Sequence, residues 1–166
     1  MTPEQIAQLS DVKLREKFVS NKLSPKDKEQ FFQQAKDDNP EKFKGFLEGP
    51  HPYNIFEEIS APGYGWTVFH YAMHYGSWNI IKFIIEYLFS KNKVEIGFRL
   101  KSKDGRCPLL CLLKSNALKS DGKVEILTKI FENFTIPVSQ EVIQEIKNRE
   151  FDFLLDKIKP YNNNKN

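Results

Sequence analysis

At 166 residues, with 40% hydrophobic and 28% charged residues, the chain has the size and balance of one folded soluble domain that needs neither disulfides nor metals to build a core. Its net charge of +3 is too small to mark a nucleic-acid binder by itself. The amino terminus lacks the charged start and apolar run of a secretory signal, and the longest apolar stretch, Trp78 to Phe89, is broken by Lys82 and Glu86 and too short to span a bilayer. The reading is a soluble intracellular protein, cytoplasmic or nuclear. Cys107 and Cys111 stand four apart in one apolar segment, where a disulfide on one helix face is awkward, so a reducing compartment fits.

Helix starts are marked from the beginning of the chain. Thr2-Pro3-Glu4-Gln5, Ser24-Pro25-Lys26-Asp27 and Asn39-Pro40-Glu41 each set a capping side chain before a proline and an acidic or amide residue. Apolar residues at helical spacing follow them: Leu14 and Phe18, then Phe31, Phe32 and Ala35, then Phe43, Phe46 and Leu47. Residues 1–48 therefore predict about four short helices. After a break at 48–52 and a short apolar piece at Ile55, Phe56 and Ile59, Pro62-Gly63-Tyr64-Gly65 makes a turn, Thr67 caps a helix and Gly76 ends it. A second helix, Trp78 to Phe89, buries Ile80, Ile81, Ile84, Ile85 and Leu88. A polar stretch leads to a turn at Asp104-Gly105, a helix opened by Pro108, and another after Gly122 carrying Val124, Ile126, Leu127, Ile130 and Phe131. The last pair runs over residues 139–147 and 150–157, and the Asn-rich tail 161–166 is expected to be disordered beyond a single domain at 1–160. Sustained strand alternation is absent, so the fold class is all-α.

Paired short helices with glycine turns call for a search for repeats. The run Gly65-Trp66-Thr67-Val68-Phe69-His70-Tyr71-Ala72, then Gly76 and Ile80-Ile81-Lys82-Phe83-Ile84-Ile85, resembles one whole ankyrin repeat, with Val68 in place of the family's proline. Gly105-Arg106-Cys107-Pro108-Leu109-Leu110-Cys111-Leu112 is similar to a degenerate next copy that lacks the threonine and histidine. The two glycines are 40 apart instead of about 33, so the loop before Gly105 is long, and the second helices are 46 apart, which puts extra residues in the turn at 116–121. Residues 30–47 fit a divergent preceding copy, with Ala35 and Asn39 in place of Ala72 and Gly76, and residues 139–158 a truncated cap, giving about four repeats. Such a repeat stacks on its neighbours because it cannot bury both faces alone.

For chemistry, His70 and His74 are four apart, as are Cys107 and Cys111, and together could offer two imidazoles and two thiolates to zinc. The bland reading is favoured. His70 is the ankyrin histidine, able to reach back to Thr67, and the cysteines stand at core or capping positions. No Gly-x-Ser-x-Gly elbow or phosphate loop occurs. The expectation is a non-enzyme with no cofactor and no metal.

Residues 49–90 hold eleven of the 22 aromatics with one Lys and three acids, whereas residues 91–123 hold nine Lys or Arg against three acids. The basic run spans Lys91, Lys93, Arg99, Lys101, Lys103 and Arg106. It reads either as a solvated loop or as a cationic finger for an acidic partner or phosphates. The resemblance implies that partners meet the finger tips and the concave face of the first helices. Carried over by position, the variable surface sites are Tyr64, Trp66, His74 and Tyr75 in the first copy and Lys103, Asp104, Arg106, Lys114 and Ser115 in the next, with Arg106 expected beside Trp66. Of these, Tyr64, Trp66, His74, Tyr75, Lys103, Arg106 and Lys114 are the expected partner-binding residues, because tyrosine, tryptophan and arginine dominate interface energetics. The expected function is protein binding, as an adaptor or a subunit of a larger assembly. Alternatives are a nucleic-acid or acidic-partner contact through residues 91–123, and a metal-dependent enzyme using the His and Cys pairs.

Overall fold

The computed structural model describes residues 24–48, 54–56 and 64–161. The two helices expected before residue 24, Ile59 and the tail after Tyr161 lie outside the described residues. Eight α-helices and a 3₁₀ turn make up the described chain: α1 (Pro25–Asp37), α2 (Glu41–Glu48), α3 (Val68–Tyr75), α4 (Trp78–Ser90), α5 (Val94–Arg99), α6 (Pro108–Leu113), α7 (Ser120–Asn133), α8 (Gln140–Asn148) and the 3₁₀ helix Asp152–Lys157. No strand occurs among the described residues.

First helices stack in a row. α3 packs on α1 on one side and on α6 on the other, and α8 packs on α6. The pairs α1/α2, α3/α4, α6/α7 and α8 with the 3₁₀ helix are thus successive layers of one all-α repeat stack. Ala35 and Ala72 are fully buried and let first helices approach closely, while Ile80, Ile81, Ile84, Ile85 and Leu88 form the buried stripe of α4.

Local chemistry sets the boundaries. Ser24 accepts from the Asp27 N–H at 3.1 Å and Ser139 from the Val142 N–H at 3.2 Å, so each covers an amide that the first turn leaves unpaired. Gly76 ends α3 in the left-handed region, at φ 68°. The expectation for the preceding copy needs correction, since the left-handed residue there is Asp38, at φ 57°, and not Asn39. Asn39 instead accepts from the Glu41 N–H through its side chain and so starts α2.

Asp38 also reaches into the next layer. Its carboxylate accepts from the Ile80 N–H and from the Asn79 Nδ2, each at 3.0 Å, which caps a helix whose own Ser77 makes no capping bond. Ser77 Oγ donates to the Ala35 carbonyl, and one layer on Ser115 Oγ donates to the His74 carbonyl at 2.5 Å. Short polar links therefore join each first-helix end to the loop that follows the next first helix.

The long spacing between the two glycine turns is taken up by α5, which the sequence presents as a polar stretch. Lys91, Lys93, Glu95, Arg99 and Lys101 hide the apolar set Val94, Ile96, Phe98 and Leu100, all of it buried. Gly97 lets α5 approach α4, because a Cβ there would lie 2.5 Å from Leu88 Cδ1. α7 starts at Ser120, so Gly122 lies inside its first turn and residues 120–121 belong to the helix, not to the preceding loop. Tyr161, expected to open a disordered tail, packs half-buried against the core.

Candidate functional site

The site is built on α3 and the fingers at either side of it. Thr67 accepts from the His70 N–H, and the Thr67 N–H donates to His70 Nδ1 at 3.2 Å, a reciprocal capping box. With Nδ1 accepting, the other ring nitrogen carries the proton, and Nε2–H donates to the Arg106 carbonyl at 2.9 Å. His70 is fully buried, and its two nitrogens close one finger and anchor the next. In the following layer Cys107 and Leu110 stand where Thr67 and His70 do, and Cys107 makes no side-chain capping bond.

Further links keep the fingers in register. Lys103 N–H donates to the Tyr64 carbonyl at 2.9 Å, and Gly65 and Gly105 turn through positive φ at 63° and 82°. Trp66 Nε1 donates to Asp104 Oδ1 at 3.1 Å, and Asp104 also accepts from Ser102 Oγ and lies 3.8 Å from Arg106 Nε.

These links overturn one expectation about Trp66. The family position is free to vary, yet here the side chain is only 7% exposed and belongs to the core. Asp104 supplies an acceptor for the indole, and Tyr64, Tyr71 and His74 surround the ring at centroid distances of 5.5, 5.1 and 5.1 Å. Arg106 does come to the same corner, through Asp104. His74, expected on the surface, is half-buried between Trp66 and Tyr75. Burial first, then the charges of Arg106 and Lys123, hold its imidazole below the ordinary range.

What faces outward is an aromatic row. Tyr64 is 54% exposed, and Tyr71 and Tyr75 are half-buried. Phe32 of α1 extends the row, with its ring 4.8 Å from Tyr71 and 6.3 Å from Tyr75. Phe32 and Tyr71 are members that sequence reasoning missed. The sequence offers no signal that separates Phe32 from a core residue, since adjacent pairs such as Ile80-Ile81 and Ile84-Ile85 are both buried. Beside this row lie the exposed Lys103 and Lys114 and the partly exposed Arg106.

The basic run does not act as one finger. Lys91 sits over the Tyr87 ring at the end of α4, and Lys101 pairs with Glu141 of α8 at 3.2 Å. Arg99 and Lys101 line a separate cleft of about 590 Å³ with Glu95, Phe98 and Tyr161, where burial raises the Glu95 carboxyl. Lys91, Lys101 and Lys103 are exposed, and Lys123, further along the chain, is buried in α7.

The chemical alternatives lose their groups. Both ring nitrogens of His70 are engaged within the fold, so that ring has no lone pair to offer a metal. Cys107 and Cys111 are buried free thiols, both pushed up by burial and so poor nucleophiles. No group of three or more metal-ligating side chains occurs among the described residues, and no helix there is long and apolar enough to cross a membrane.

Among known families, the ankyrin repeat model matches residues 64–96, the span from Tyr64 through α3 and α4 into α5. Neither the curated proteins nor the solved structures gave a match. The matched segment has its threonine–histidine capping box formed and its glycine in the left-handed region, and it sits at the centre of an all-α stack, so the chain contains an ankyrin repeat at residues 64–96.

Proposed function

We propose that the chain is a protein-interaction module, an adaptor or a subunit of a larger intracellular assembly, with no catalytic role of its own. The observation that carries this reading is the aromatic row at Tyr64, Tyr71 and Tyr75 beside the cations Lys103, Arg106 and Lys114. Tyr71 helps to seat α3 on Phe32 of α1, whereas Tyr64, 54% exposed at a finger tip, lies outside the core that stacks the helices. Tyrosine couples a large apolar ring to a polar tip and loses little side-chain freedom on binding, which is why it anchors interfaces. Two buried, unpaired thiols fit a reducing compartment.

Affinity capture with the wild-type chain and with a Tyr64→Ala/Tyr75→Ala variant tests the reading. The expected result is a partner retained by the wild type and lost by the variant, with the variant's melting curve close to that of the wild type. A partner held equally by both would move the interface away from this face.

A further inference from the structure

We infer that the partner of this face is an acidic polypeptide segment, one that carries carboxylates beside an aromatic or aliphatic anchor. The inference rests on the reading of the face as a binding surface and adds the chemistry of what binds.

Three hydrogen bonds place an aromatic row and a cationic row side by side. The Lys103 N–H meets the Tyr64 carbonyl at 2.9 Å, His70 Nε2 meets the Arg106 carbonyl at 2.9 Å, and Ser115 Oγ meets the His74 carbonyl at 2.5 Å. Each bond ties a residue of one layer to the next layer. At the finger tips Tyr64 therefore neighbours Lys103. At the helix ends His74 and Tyr75 neighbour Lys114 and Ser115, and Arg106 lies between the two pairs.

The sign of the field follows from the same residues. Between Lys103 and Lys114 there are three cations and one acid, Asp104. That carboxylate is occupied by Trp66 Nε1, Ser102 Oγ and Arg106 Nε, so it is turned toward the finger links. At the centre of the face burial first, then Arg106 and Lys123, disfavour protonation of His74, so this ring adds no competing charge there. A carboxylate-bearing segment laid along the two rows would meet cations on one side and tyrosine rings and hydroxyls on the other.

A nucleic acid fits less well. Bases stack on open ring faces, and the rings here are largely taken up by one another: Phe32 packs on Tyr71 at 81°, Trp66 on Tyr71 at 71° and His74 on Tyr75 at 80°, while Tyr71 and Tyr75 lie parallel at 11° with centroids 6.5 Å apart. Lys91, Arg99, Lys101 and Lys123, which would be wanted for a phosphate track, are placed elsewhere or buried.

The test is selection of random short peptides displayed on phage, panned against the wild-type chain and against a Lys103→Glu/Lys114→Glu variant. Fluorescence anisotropy then measures the enriched peptides and a single-stranded oligonucleotide. The wild type is expected to enrich peptides rich in Asp and Glu around an apolar residue. Charge reversal should weaken those peptides by about tenfold or more and turn selection toward basic sequences. A Lys103→Gln/Lys114→Gln variant, with no new charge to disturb folding, should give a smaller loss in the same direction. If the wild type enriches no peptide, or enriches peptides without acidic bias that Tyr64→Ala/Tyr75→Ala still abolishes, the acidic partner is overturned; in the second case the binding face stands. Acidic peptides that bind equally to the lysine and tyrosine variants would overturn both readings. Oligonucleotide binding tighter than any peptide, and lost on charge reversal, would replace the partner class.

Discussion

The indole Nε1–H of Trp66 and the carboxylate of Asp104 are joined across 38 residues of chain, at 3.1 Å to Oδ1 and 3.3 Å to Oδ2. This link makes Trp66 a strut between neighbouring fingers. Trp66→Ala is expected to cost about 3–5 kcal/mol of stability, the usual range for deleting a buried aromatic. Trp66→Phe keeps most of the packing and drops the hydrogen bond, for a loss of about 1–2 kcal/mol. Urea melts of the two variants check both values. A Trp66→Ala chain as stable as the wild type would return the residue to the surface.

The two helical histidines should behave oppositely. His70→Ala removes the capping box and the bond to the Arg106 carbonyl from a fully buried site, and should cost about 2–3 kcal/mol. The Arg106 carbonyl keeps its second donor, the Ser102 N–H at 2.9 Å, which limits the damage. His74→Ala removes a half-buried ring whose Nδ1 has no partner, while Ser115 still bonds the backbone carbonyl, so its cost should stay within about 1 kcal/mol. Denaturant midpoints measured side by side decide the order.

His74 also gives stability a pH dependence. Its folded-state value lies below the ordinary 6.5, through burial and then through Arg106 and Lys123. The unfolded chain therefore takes up this proton first as the pH falls. The contribution of His74 is fully favourable above about 6.5, declines as the pH drops toward the folded value, and levels off below it. Denaturant midpoints between neutral and mildly acidic pH should fall for the wild type and fall less for His74→Gln.

Gly76 and Gly105 share a left-handed backbone but not their surroundings. A Cβ on Gly105, at φ 82°, would meet nothing within 4 Å, so Gly105→Ala should cost about 1 kcal/mol, from the backbone alone. A Cβ on Gly76, at φ 68°, would lie 2.9 Å from both Leu118 methyls, and Gly76→Ala should cost about 2 kcal/mol. Thermal melts of the pair separate the strain of the dihedral from the crowding.

How much of this was legible in the chain depends on the range of the signal. Thr67, His70 and Gly76 act within one helix, and their spacing alone marks both ends of α3. Ser24 and Ser139 are equally local. α5 was hidden because it is only six residues long and is set among the charged residues Lys91, Lys93, Glu95, Arg99 and Lys101, and its packing on α4 across Gly97 is a tertiary feature. Trp66 was misread for a related reason: the family position is outward by default, and the acceptor that draws the indole inward sits one finger further along the chain. The aromatic row was half visible, in Tyr64 and Tyr75, and needed the neighbouring helix to supply Phe32.

The carboxylate of Asp38 gives the stack a direction. The start of α4 is completed by a residue of the layer before it, and the Ser77 and Ser115 links run the same way, each reaching back to the preceding first helix. Cooperation between layers is therefore polar as well as hydrophobic, and it is not symmetric. Fraying at the end of α1 would leave the Ile80 amide in the first turn of α4 without its acceptor. A foreign repeat spliced in ahead of residue 64 would stack well only if it brought its own acceptor to the place that Asp38 now fills.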